Sequence, residues 1–595
     1  MGLSDSLIIP GLMLGEIAQR SKRKIRASRL FHWPVSLHVP SRFSHALDDL
    51  QPADPKQAGE FYNGNFTLGH QSVATGGESP FTHPSPSTDW QNELHSFRWL
   101  RHLTAANTDL ARAHGCGLLQ DWVLLWGGQT GSRAWSARTT ALRVISWCSH
   151  APKMLDGAHR DQHKIVINAL VRHLRHLHQE IPLQQVDIPR LQMSIALACG
   201  VVCLNQKSKT VKTVLRELDK ELERQVFPDG CPISRNPSDV VALLTTLIPL
   251  QRLLVKSNNA PSKSVMSSID RLRAALQFFT LSDGNLAQFN GTGETEPKLL
   301  AALLPSAEAA KDTQMSAPNG GYERLAAGKT ALVMDTGSTI SKASAHNALA
   351  GTLSFELSSG KNTFIMNCGV ATENRELYMP YSRATAAHST VVIEDTSSSH
   401  FVSTKNLERW LPSALISSPS QSPTKRETVQ GFHQVEASHD GYLSNFDAVH
   451  HRTLQLSDDG ETLNGSDRIE SVQRRSGAKN QARYCLRFHL PPQISASLLS
   501  NGHSILLAAP DRDAWIFTCV DAPIELEESI RFTGPGEPRK TEQIVVRSSI
   551  EENSEIRWTF THRKKKTAVR TKKNKPDERD LLSDLTDPIF KPEGE

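Results

Sequence analysis

The stretch of sequence that decides the fold reads SAHNALAGTLSFELSSGKNTFIMNCGV at 344–370 and, after a short gap, YSRATAAHSTVVIED at 381–395. LSFEL alternates apolar and polar residues, VVI is a β-branched run, and IMNCG ends on glycine, so all three predict short strands. His346 precedes the first of these strands, and His388 leads into the last. The stretch therefore predicts sheet structure with a histidine before its first strand and another before its last.

The apolar period of two extends over residues 322–562. Segments such as TALVMDTG, HRTLQLSDDGETLNGSD and EQIVVRSSI carry strand-like runs separated by turn signals such as DDG and SSG. Many short strands at such intervals predict an antiparallel β-sandwich. The preceding residues, 301–321, are small, polar and bear proline and glycine, which predicts a linker.

Residues 90–300 have the apolar period of helices. HKIVINALVRHLRHLHQEI places its apolar residues on one face, and RLQMSIALACGVVCL is apolar nearly all round, as in a buried helix. Successive helices with short polar joints predict antiparallel helical hairpins. This pattern by itself leaves a toroid, a solenoid and a bundle open.

Composition favours a globular protein. The 595 residues are 38% hydrophobic and 22% charged, with a net charge of +5. No apolar run reaches the roughly 18 residues that a membrane-spanning helix needs, so no transmembrane segment is predicted. The eight cysteines form no CxxC pair, so neither a disulfide framework nor a structural zinc site is predicted.

The two ends of the chain differ in character from the middle. Near the N-terminus, the apolar segment LIIPGLMLG comes before the basic residues rather than after them. No export signal is therefore predicted, and the protein is expected in the cytoplasm or associated with the cell envelope. At the other end, RKKKTAVRTKKNK has no interleaved aromatic residue, so nucleic acid is not an expected partner, and 563–595 is predicted to be a disordered tail.

Short motifs follow one another in the order found in a known family. The helical half holds FHWP, WQNELHSFRWLRHL, FPDGCPISRNP and SDGNLAQFNGTGE, and the strand-rich half adds GGYERL, HDGYLSNF, RFHLPP and TEQIVV. Together with the opening stretch, they resemble the heparinase II/III family of bacterial polysaccharide lyases over residues 31–546. The resemblance implies a multidomain α + β protein, with an N-terminal α/α toroid of helical hairpins followed by a C-terminal antiparallel β-sandwich.

With that fold, the chain divides into five predicted segments. The changes of apolar period at 90 and 322 separate the helical half from the strand-rich half. The segments are an irregular N-terminal part packing on the helical domain (1–89), the toroid (90–300), the linker (301–321), the heparinase II/III-like β-sandwich domain (322–562) and the tail (563–595).

The resemblance implies cleavage of a uronic-acid-containing glycan by β-elimination. One group must neutralise the uronate carboxylate, a base must take the C5 proton, and an acid must protonate the leaving glycosidic oxygen. The candidates for holding the carboxylate are Arg235 and Asn236 in SRNP, with Arg383 as a further substrate contact. The candidates for the proton transfers are His388 and Tyr381.

The motif FPDGCPISRNP departs from the family pattern. Cys231 and Pro232 stand where relatives carry glycine and histidine, and proline offers neither a titratable group nor an N–H donor. The SRNP end of the motif has two interpretations. It can bind a carboxylate, or it can simply start a helix, with Ser234 or Asn236 as the cap and Pro237 in the first turn.

Some relatives in the family bind zinc in the sheet domain. The three ligand positions correspond here to Leu349, Asn367 and His388. Leucine cannot bind a metal, amide oxygen is a poor zinc ligand, and a single histidine does not make a metal site. Neither a bound zinc nor any other cofactor is therefore predicted.

These departures leave two functions open. The first is a lyase that acts on an acidic polysaccharide or oligosaccharide of the cell envelope. The second is a catalytically weakened glycan-binding or scaffold protein that kept the fold. The lyase requires Arg235, Asn236, Tyr381 and His388 to converge on one cleft between the domains.

Overall fold

The computed structural model describes ten ranges of the chain, which are residues 5–26, 37–304, 313–337, 342–371, 374–402, 415–420, 422–472, 481–534, 536 and 538–563. The predicted tail lies outside these residues, apart from its first residue.

Helices form most of the N-terminal half. Consecutive helices pack on one another from α4 to α9, and α10 packs on α11. The helix α8 lies centrally, in contact with α6, α7, α9 and α10. The helices of the described residues are α1 (Asp5–Arg26), α2 (Lys56–Tyr62), α3 (Thr88–Ser96), α4 (Leu100–Ala106), α5 (Asp109–Trp126), α6 (Ala137–Met154), α7 (Arg160–Glu180), α8 (Ile188–Cys203), α9 (Ser208–Gln225), α10 (Pro237–Lys256), α11 (Lys263–Phe279), α12 (Pro297–Leu303), α13 (Arg375–Arg383) and α14 (Leu443–Phe446).

Side-chain caps explain where several toroid helices begin. Thr108, Asp187 and Ser262 precede α5, α8 and α11, and each accepts a backbone N–H from the first turn of its helix. Such caps satisfy donors that have no partner within the helix. The helices bury apolar faces at helical spacing, so the packed core follows the sequence pattern.

Strands form most of the C-terminal half. All their pairings are antiparallel. The strands are β1 (Asn65–Leu68), β2 (Gln71–Ala74), β3 (Ser316–Ala317), β4 (Tyr322–Ala327), β5 (Thr330–Asp335), β6 (Phe355–Ser359), β7 (Asn362–Ile365), β8 (Val391–Ile393), β9 (His400–Phe401), β10 (Leu415–Ser417), β11 (Thr424–Val429), β12 (Phe432–His439), β13 (Ala448–Ser457), β14 (Thr462–Ser471), β15 (Arg483–His489), β16 (Ser495–Leu498), β17 (Ser504–Ala508), β18 (Ala514–Thr518), β19 (Ile524–Arg531), β20 (Arg539–Ser549) and β21 (Glu555–His562).

Three large sheets enclose one apolar core. An eight-stranded sheet has the order β11-β12-β13-β14-β21-β18-β17-β16, a four-stranded sheet the order β19-β20-β15-β8, and a five-stranded sheet the order β3-β4-β5-β6-β7. The bridge between Met366 and His489 joins the two smaller sheets. Burial alternates along the whole of β13, as expected for a strand with one face on the core.

The five-stranded sheet lies between the two halves of the chain. Every residue of β5 is buried. Leu332 and Met334 belong to the core of the sandwich, whereas Val333 and, on β4, Tyr322 belong to the helical core. The toroid and the sandwich therefore share this sheet as their boundary.

The N-terminal segment contains more regular structure than the irregular segment predicted for 1–89. It holds the helices α1 and α2 and the hairpin β1-β2. In α1 the residues Ile9, Met13 and Ile17 recur at a spacing of four, which favours a helix. Pro10 and Gly11 interrupt this pattern early in the helix, which obscures it in the sequence.

One described helix, α10, is long and apolar enough to cross a membrane, although no span was predicted. Within its apolar window, 61% is buried inside the structure. It packs on α8, α11 and α12, as a core helix of the toroid does. The eight cysteines are all free and buried.

Candidate functional site

Asn236 starts the helix α10. Its Oδ1 accepts the backbone N–H of Ser238 at 2.9 Å, and Pro237 is the first helical residue. The hydroxyl of Thr292 lies 2.8 Å from the same oxygen and 2.8 Å from the carbonyl of Phe289, and its one proton donates to one of the two. The helix start considered from the sequence is therefore present, with Asn236 as its cap.

Arg235 fastens the toroid to the five-stranded sheet. Its backbone is left-handed, with φ 56°. Nε donates to the carbonyl of Gly320 at 2.6 Å, and Nη2 donates to the carbonyl of Gly321 at 3.1 Å and to the Asp335 carboxylate. The guanidinium also lies 4.9 Å from the ring centre of Tyr322.

The ion pair of Arg235 with Asp335 is buried, with side-chain exposures of 7% and 6%. Burial lowers the pKa of the Arg235 guanidinium, but the adjacent Asp335 carboxylate opposes this effect. The pKa of Arg235 is therefore raised above its usual value. Asp335 itself accepts the N–H of Gly337 at 3.0 Å. Arg235 therefore already holds a carboxylate, which belongs to the protein.

Two glycines permit the close approach of the halves at this point. A Cβ at Gly337 would lie 2.1 Å from Nη2 of Arg235, and one at Gly320 would lie 2.3 Å from Sγ of Cys231. Asp229 adds a further link, because its Oδ2 accepts the N–H of Gly320 at 2.9 Å. The motif that carries the predicted carboxylate site is thus part of the boundary between the domains.

His388 lies inside the β domain, 2% exposed. Its ring packs on Gly351, where a Cβ would lie 2.6 Å from Cδ2. Nδ1 is 2.9 Å from the carbonyl of Ala384. A carbonyl can only accept, so Nδ1 carries the proton and Nε2 the lone pair. Burial lowers the pKa of His388 to about 4, so the imidazole is neutral at pH 7 and has little contact with solvent.

The other two predicted residues lie on α13, and they differ in exposure. Tyr381 is 64% exposed. Arg383 is buried, and its Nη2 donates to the carbonyls of Ala345 and His346 at 3.3 and 2.8 Å. Its guanidinium also lies 4.7 Å from the ring centre of Phe401. Arg383 thus holds the turn before β6 in place.

The residues at the family's zinc positions do not fit a metal ion. Leu349 packs with Val370 and Met379. The Oδ1 of Asn367 accepts the N–H of Ser389 at 3.0 Å. Within the described part of the chain, no group of three or more histidine, cysteine, aspartate or glutamate residues could hold a metal.

The predicted residues do not share the cavity that Arg235 lines. This cavity, of 410 Å³, lies between the Gly320–Gly321 turn and the strands β4 and β11, and Asn236, Tyr381, Arg383 and His388 are absent from its lining. A backbone hydrogen bond links the two groups. The N–H of Leu353, two residues after the Gly351 that touches His388, donates to the carbonyl of Asp335 at 2.7 Å.

A charged cluster of Arg138, Asp239 and Arg375 lies at the domain boundary, and the sequence did not predict it. Two effects lower the pKa of Arg375, at the start of α13. The larger is burial, and the next is the positive charge of Arg138 on α6. Burial raises the pKa of Asp239, against the opposing effect of both arginines. Arg375 also donates to Oδ1 of Asn347 at 2.8 Å. No sequence signal links these residues, because they come from three distant segments.

The toroid adds more positive charge beside this cluster. Arg138 is exposed and also lines a cavity of 170 Å³, together with Arg98, Arg101 and His150. Arg101 lies 3.9 Å from Asp49, and that carboxylate lies 3.0 Å from Nε2 of His150. Arg98 and Arg138 therefore give this cavity of the toroid an excess of positive charge, which attracts anionic groups.

Comparison with known proteins agrees with this architecture. Residues 310–559 match the model of the family described as heparinase II/III-like, C-terminal. A crystal structure of heparinase III aligns with a TM-score of 0.65 at 13% identity, covering 94% of this chain and 91% of that one. A heparan sulfate lyase from Pedobacter heparinus aligns with a TM-score of 0.57 at 15% identity, covering 93% and 88%.

A curated relative matches nearly the whole chain. FtsZ-localized protein C of Caulobacter vibrioides is 28% identical over 541 residues, which are 89% of this chain and 91% of that protein. The fold defines a protein of the toroid-and-sandwich architecture that polysaccharide lyases use, so the predicted fold class is confirmed. Residues 310–559 match the heparinase II/III-like family that the motifs predicted, and the whole fold is similar to that of heparinase III.

Proposed function

We propose that this protein is a heparinase-fold binding or scaffold protein that localises with FtsZ, and that lyase activity is lost or strongly weakened in it. The observation that carries the proposal is the buried pair of Arg235 with Asp335. A lyase needs a group that is free to neutralise the uronate carboxylate, and Arg235, the cationic candidate, is already paired with Asp335. The relative FtsZ-localized protein C, which matches nearly the whole chain, supports the proposed localisation with FtsZ.

The energetics oppose the use of Arg235 for catalysis. A substrate carboxylate would have to displace Asp335, which would leave that buried acid without its counter-charge. Removing one partner of a buried pair costs about 3–5 kcal/mol. The uronate would recover only part of this, because it must also lose its own hydration.

The proton-transfer groups are also poorly placed. His388 has the lone pair of a base at Nε2, yet its side chain is 2% exposed. Tyr381 is 64% exposed, so solvent surrounds most of its side chain, whereas His388 is buried. Efficient proton transfer requires both groups within hydrogen-bond reach of one substrate.

Co-sedimentation with FtsZ filaments tests the proposal. FtsZ is assembled with GTP, the purified full-length protein is added, and the filaments are pelleted. We expect the protein in the pellet with GTP and in the supernatant with GDP. An absence of co-sedimentation over a range of protein concentrations and salt would contradict localisation through direct binding.

An ultraviolet assay tests the second part of the proposal. β-Elimination leaves an unsaturated uronate that absorbs ultraviolet light, so cleavage is followed as a rise in absorbance. The protein is incubated with a panel of acidic polysaccharides, and heparinase III serves as the positive control. We expect no enzymatic rise. A rise that disappears in the His388→Ala variant would overturn the proposal.

The charged cluster favours a second candidate, a protein that binds or cleaves an acidic glycan of the cell envelope. The positive charges of Arg138 and Arg375 repel one another across the boundary, and an anion near both would relieve this repulsion. In the lyase form, these arginines would hold the uronate, while His388 and Tyr381 would transfer protons. Retention on immobilised heparin that is lost in Arg375→Gln, without any rise in absorbance, would indicate binding alone.

A further inference from the structure

The outer layer of toroid helices has a gap between α7 and α9. In this layer α5 packs on α7 and α9 packs on α11, but α7 and α9 hardly touch, although both pack on α8. This gap, the outer slot, has Ser194 and Leu197 of α8 as its floor. One side of it is formed by α9, and the other by the end of α7 and the residues Ile181 and Pro182 that follow.

The outer slot is long and mainly apolar. Its volume is about 810 Å³, and Leu197, Val214 and Leu218 are among the described residues that line it. Along α9 the lining extends from Lys207 to Glu221, which corresponds to about 21 Å of helix. A groove with these properties fits the apolar face of a short amphipathic helix.

The rim of the outer slot is positive where α9 begins. Lys207 and Lys209 are exposed, and neither forms an ion pair with another described residue. The first turn of α9 holds no acidic residue and has no side-chain cap, so the positive end of the helix dipole adds to their charge. The acidic residues of the lining are already paired, since Glu221 lies 2.7 Å from an arginine of α8 and Glu217 lies 2.9 Å from a lysine of α9. This end of the slot therefore favours an acidic occupant.

One stretch of the chain, outside the described residues, has the matching sequence pattern. Residues 577–587 read DERDLLSDLTD, in which Leu581 and Leu585 recur at helical spacing. Five acidic residues against one arginine give this stretch a net charge of −4. Pro576 comes directly before it and Pro588 directly after it, as is typical of the two ends of a helix. A helix of that length extends about 17 Å, which is shorter than the slot.

We propose that the segment 577–587 of the same molecule docks in the outer slot, with its leucines on the apolar floor and its acidic residues toward Lys207 and Lys209. Residues 564–576 connect the segment to the described part of the chain, and an extended connection of that length spans up to about 45 Å. The docked segment completes the outer layer of the toroid and withholds the slot from other partners. This contact goes beyond the proposed function and does not depend on it.

Zero-length cross-linking of the full-length protein tests the proposal. A carbodiimide joins a carboxylate to a lysine amine where the two groups are in contact, and mass spectrometry identifies the joined peptides. Mixing unlabelled protein with protein labelled with nitrogen-15 distinguishes links within one chain from links between copies. We expect links from 577–587 to Lys207 or Lys209 within one chain.

Two variants with matched controls locate the contact. Leu585→Asp should reduce these links and speed amide hydrogen exchange in 577–587 by about tenfold, because a buried leucine contributes at least that factor to binding. Ser583→Asp adds the same charge to the opposite face of the segment and should leave both measurements unchanged. Lys209→Glu should also speed the exchange, whereas Lys212→Glu, at an exposed residue of α9 outside the slot, should not.

Three results would overturn the proposal. The first is the absence of links from 577–587 to Lys207 and Lys209. The second is an equal yield of links and equal hydrogen exchange in Leu585→Asp and the unaltered protein. The third is links that form only between labelled and unlabelled copies, which would place the segment of a second copy in the slot.

Discussion

Replacing Asp335 with asparagine should destabilise the protein strongly, because it removes the only counter-charge that the described residues place on the buried guanidinium of Arg235. The side chains are 7% and 6% exposed, so water cannot replace the lost carboxylate. Loss of one partner from such a pair costs about 3–5 kcal/mol. Arg235→Met should cost a similar amount, since it leaves Asp335 uncompensated and frees the carbonyls of Gly320 and Gly321.

A double-mutant cycle separates the pair from its surroundings. In Arg235→Met/Asp335→Asn both charges are gone, so the loss of stability should be well below the sum of the two single losses. Urea unfolding followed by tryptophan fluorescence and by circular dichroism gives the free energies. Hydrogen exchange should show faster opening of residues 229–237 and 316–337 in Asp335→Asn. A loss below about 1 kcal/mol would refute the reasoning, because surface pairs contribute that little.

Three further predictions concern the interior. Folding buries Glu356 and raises its pKa from 4.5 to about 7, so its contribution to stability is complete at low pH and is lost as the pH rises through about 7. Between pH 5 and pH 8, the free energy of unfolding should fall by about 2–3 kcal/mol more in the unaltered protein than in Glu356→Gln, and equal pH profiles would contradict this. Asp467→Asn should lower the free energy of unfolding in urea by about 3–5 kcal/mol, because Asp467 and Arg452 form an ion pair at 0% exposure. A decrease as small as that for a surface ion pair would contradict this prediction. Gly337→Ala should lower the thermal midpoint by several degrees, since its Cβ would meet Arg235, whereas Gly59→Ala on α2 meets nothing within 4 Å and serves as the control.

The fold could be predicted because its signals are local or recur along the chain. Apolar residues at helical spacing mark the toroid, and the alternation within HRTLQLSDDGETLNGSD corresponds to the alternating burial of β13 and β14. Family motifs then selected a toroid among helical arrangements. The helix α1 escaped notice because Pro10 and Gly11 interrupt its pattern.

The site was less predictable because its contacts join distant parts of the chain. SRNP indicated Arg235, but its counter-ion lies 100 residues further on. The burial of His388 depends on Gly351, which looks unremarkable in the sequence. Likewise, nothing in the local pattern shows that Arg138 of α6 approaches Arg375 of α13. Charge pairing across a boundary can only be seen once the chain has folded.

The pair of Arg235 with Asp335 also discriminates between the two functions, because they predict opposite effects of Asp335→Asn. If the protein is a lyase held inactive by an internal carboxylate, the variant frees a cation for uronate, and cleavage of an acidic polysaccharide should appear or increase. If the protein is a scaffold, the partner recognises the fixed arrangement of toroid and sandwich. Loosening their boundary should then reduce co-sedimentation with FtsZ, and no unsaturated uronate should form. Polysaccharide cleavage and co-sedimentation with FtsZ are measured on one preparation of Asp335→Asn, after circular dichroism has shown that it is folded. Arg547→Gln is the control for the loss of a charge. Increased cleavage with unchanged co-sedimentation would contradict the scaffold function.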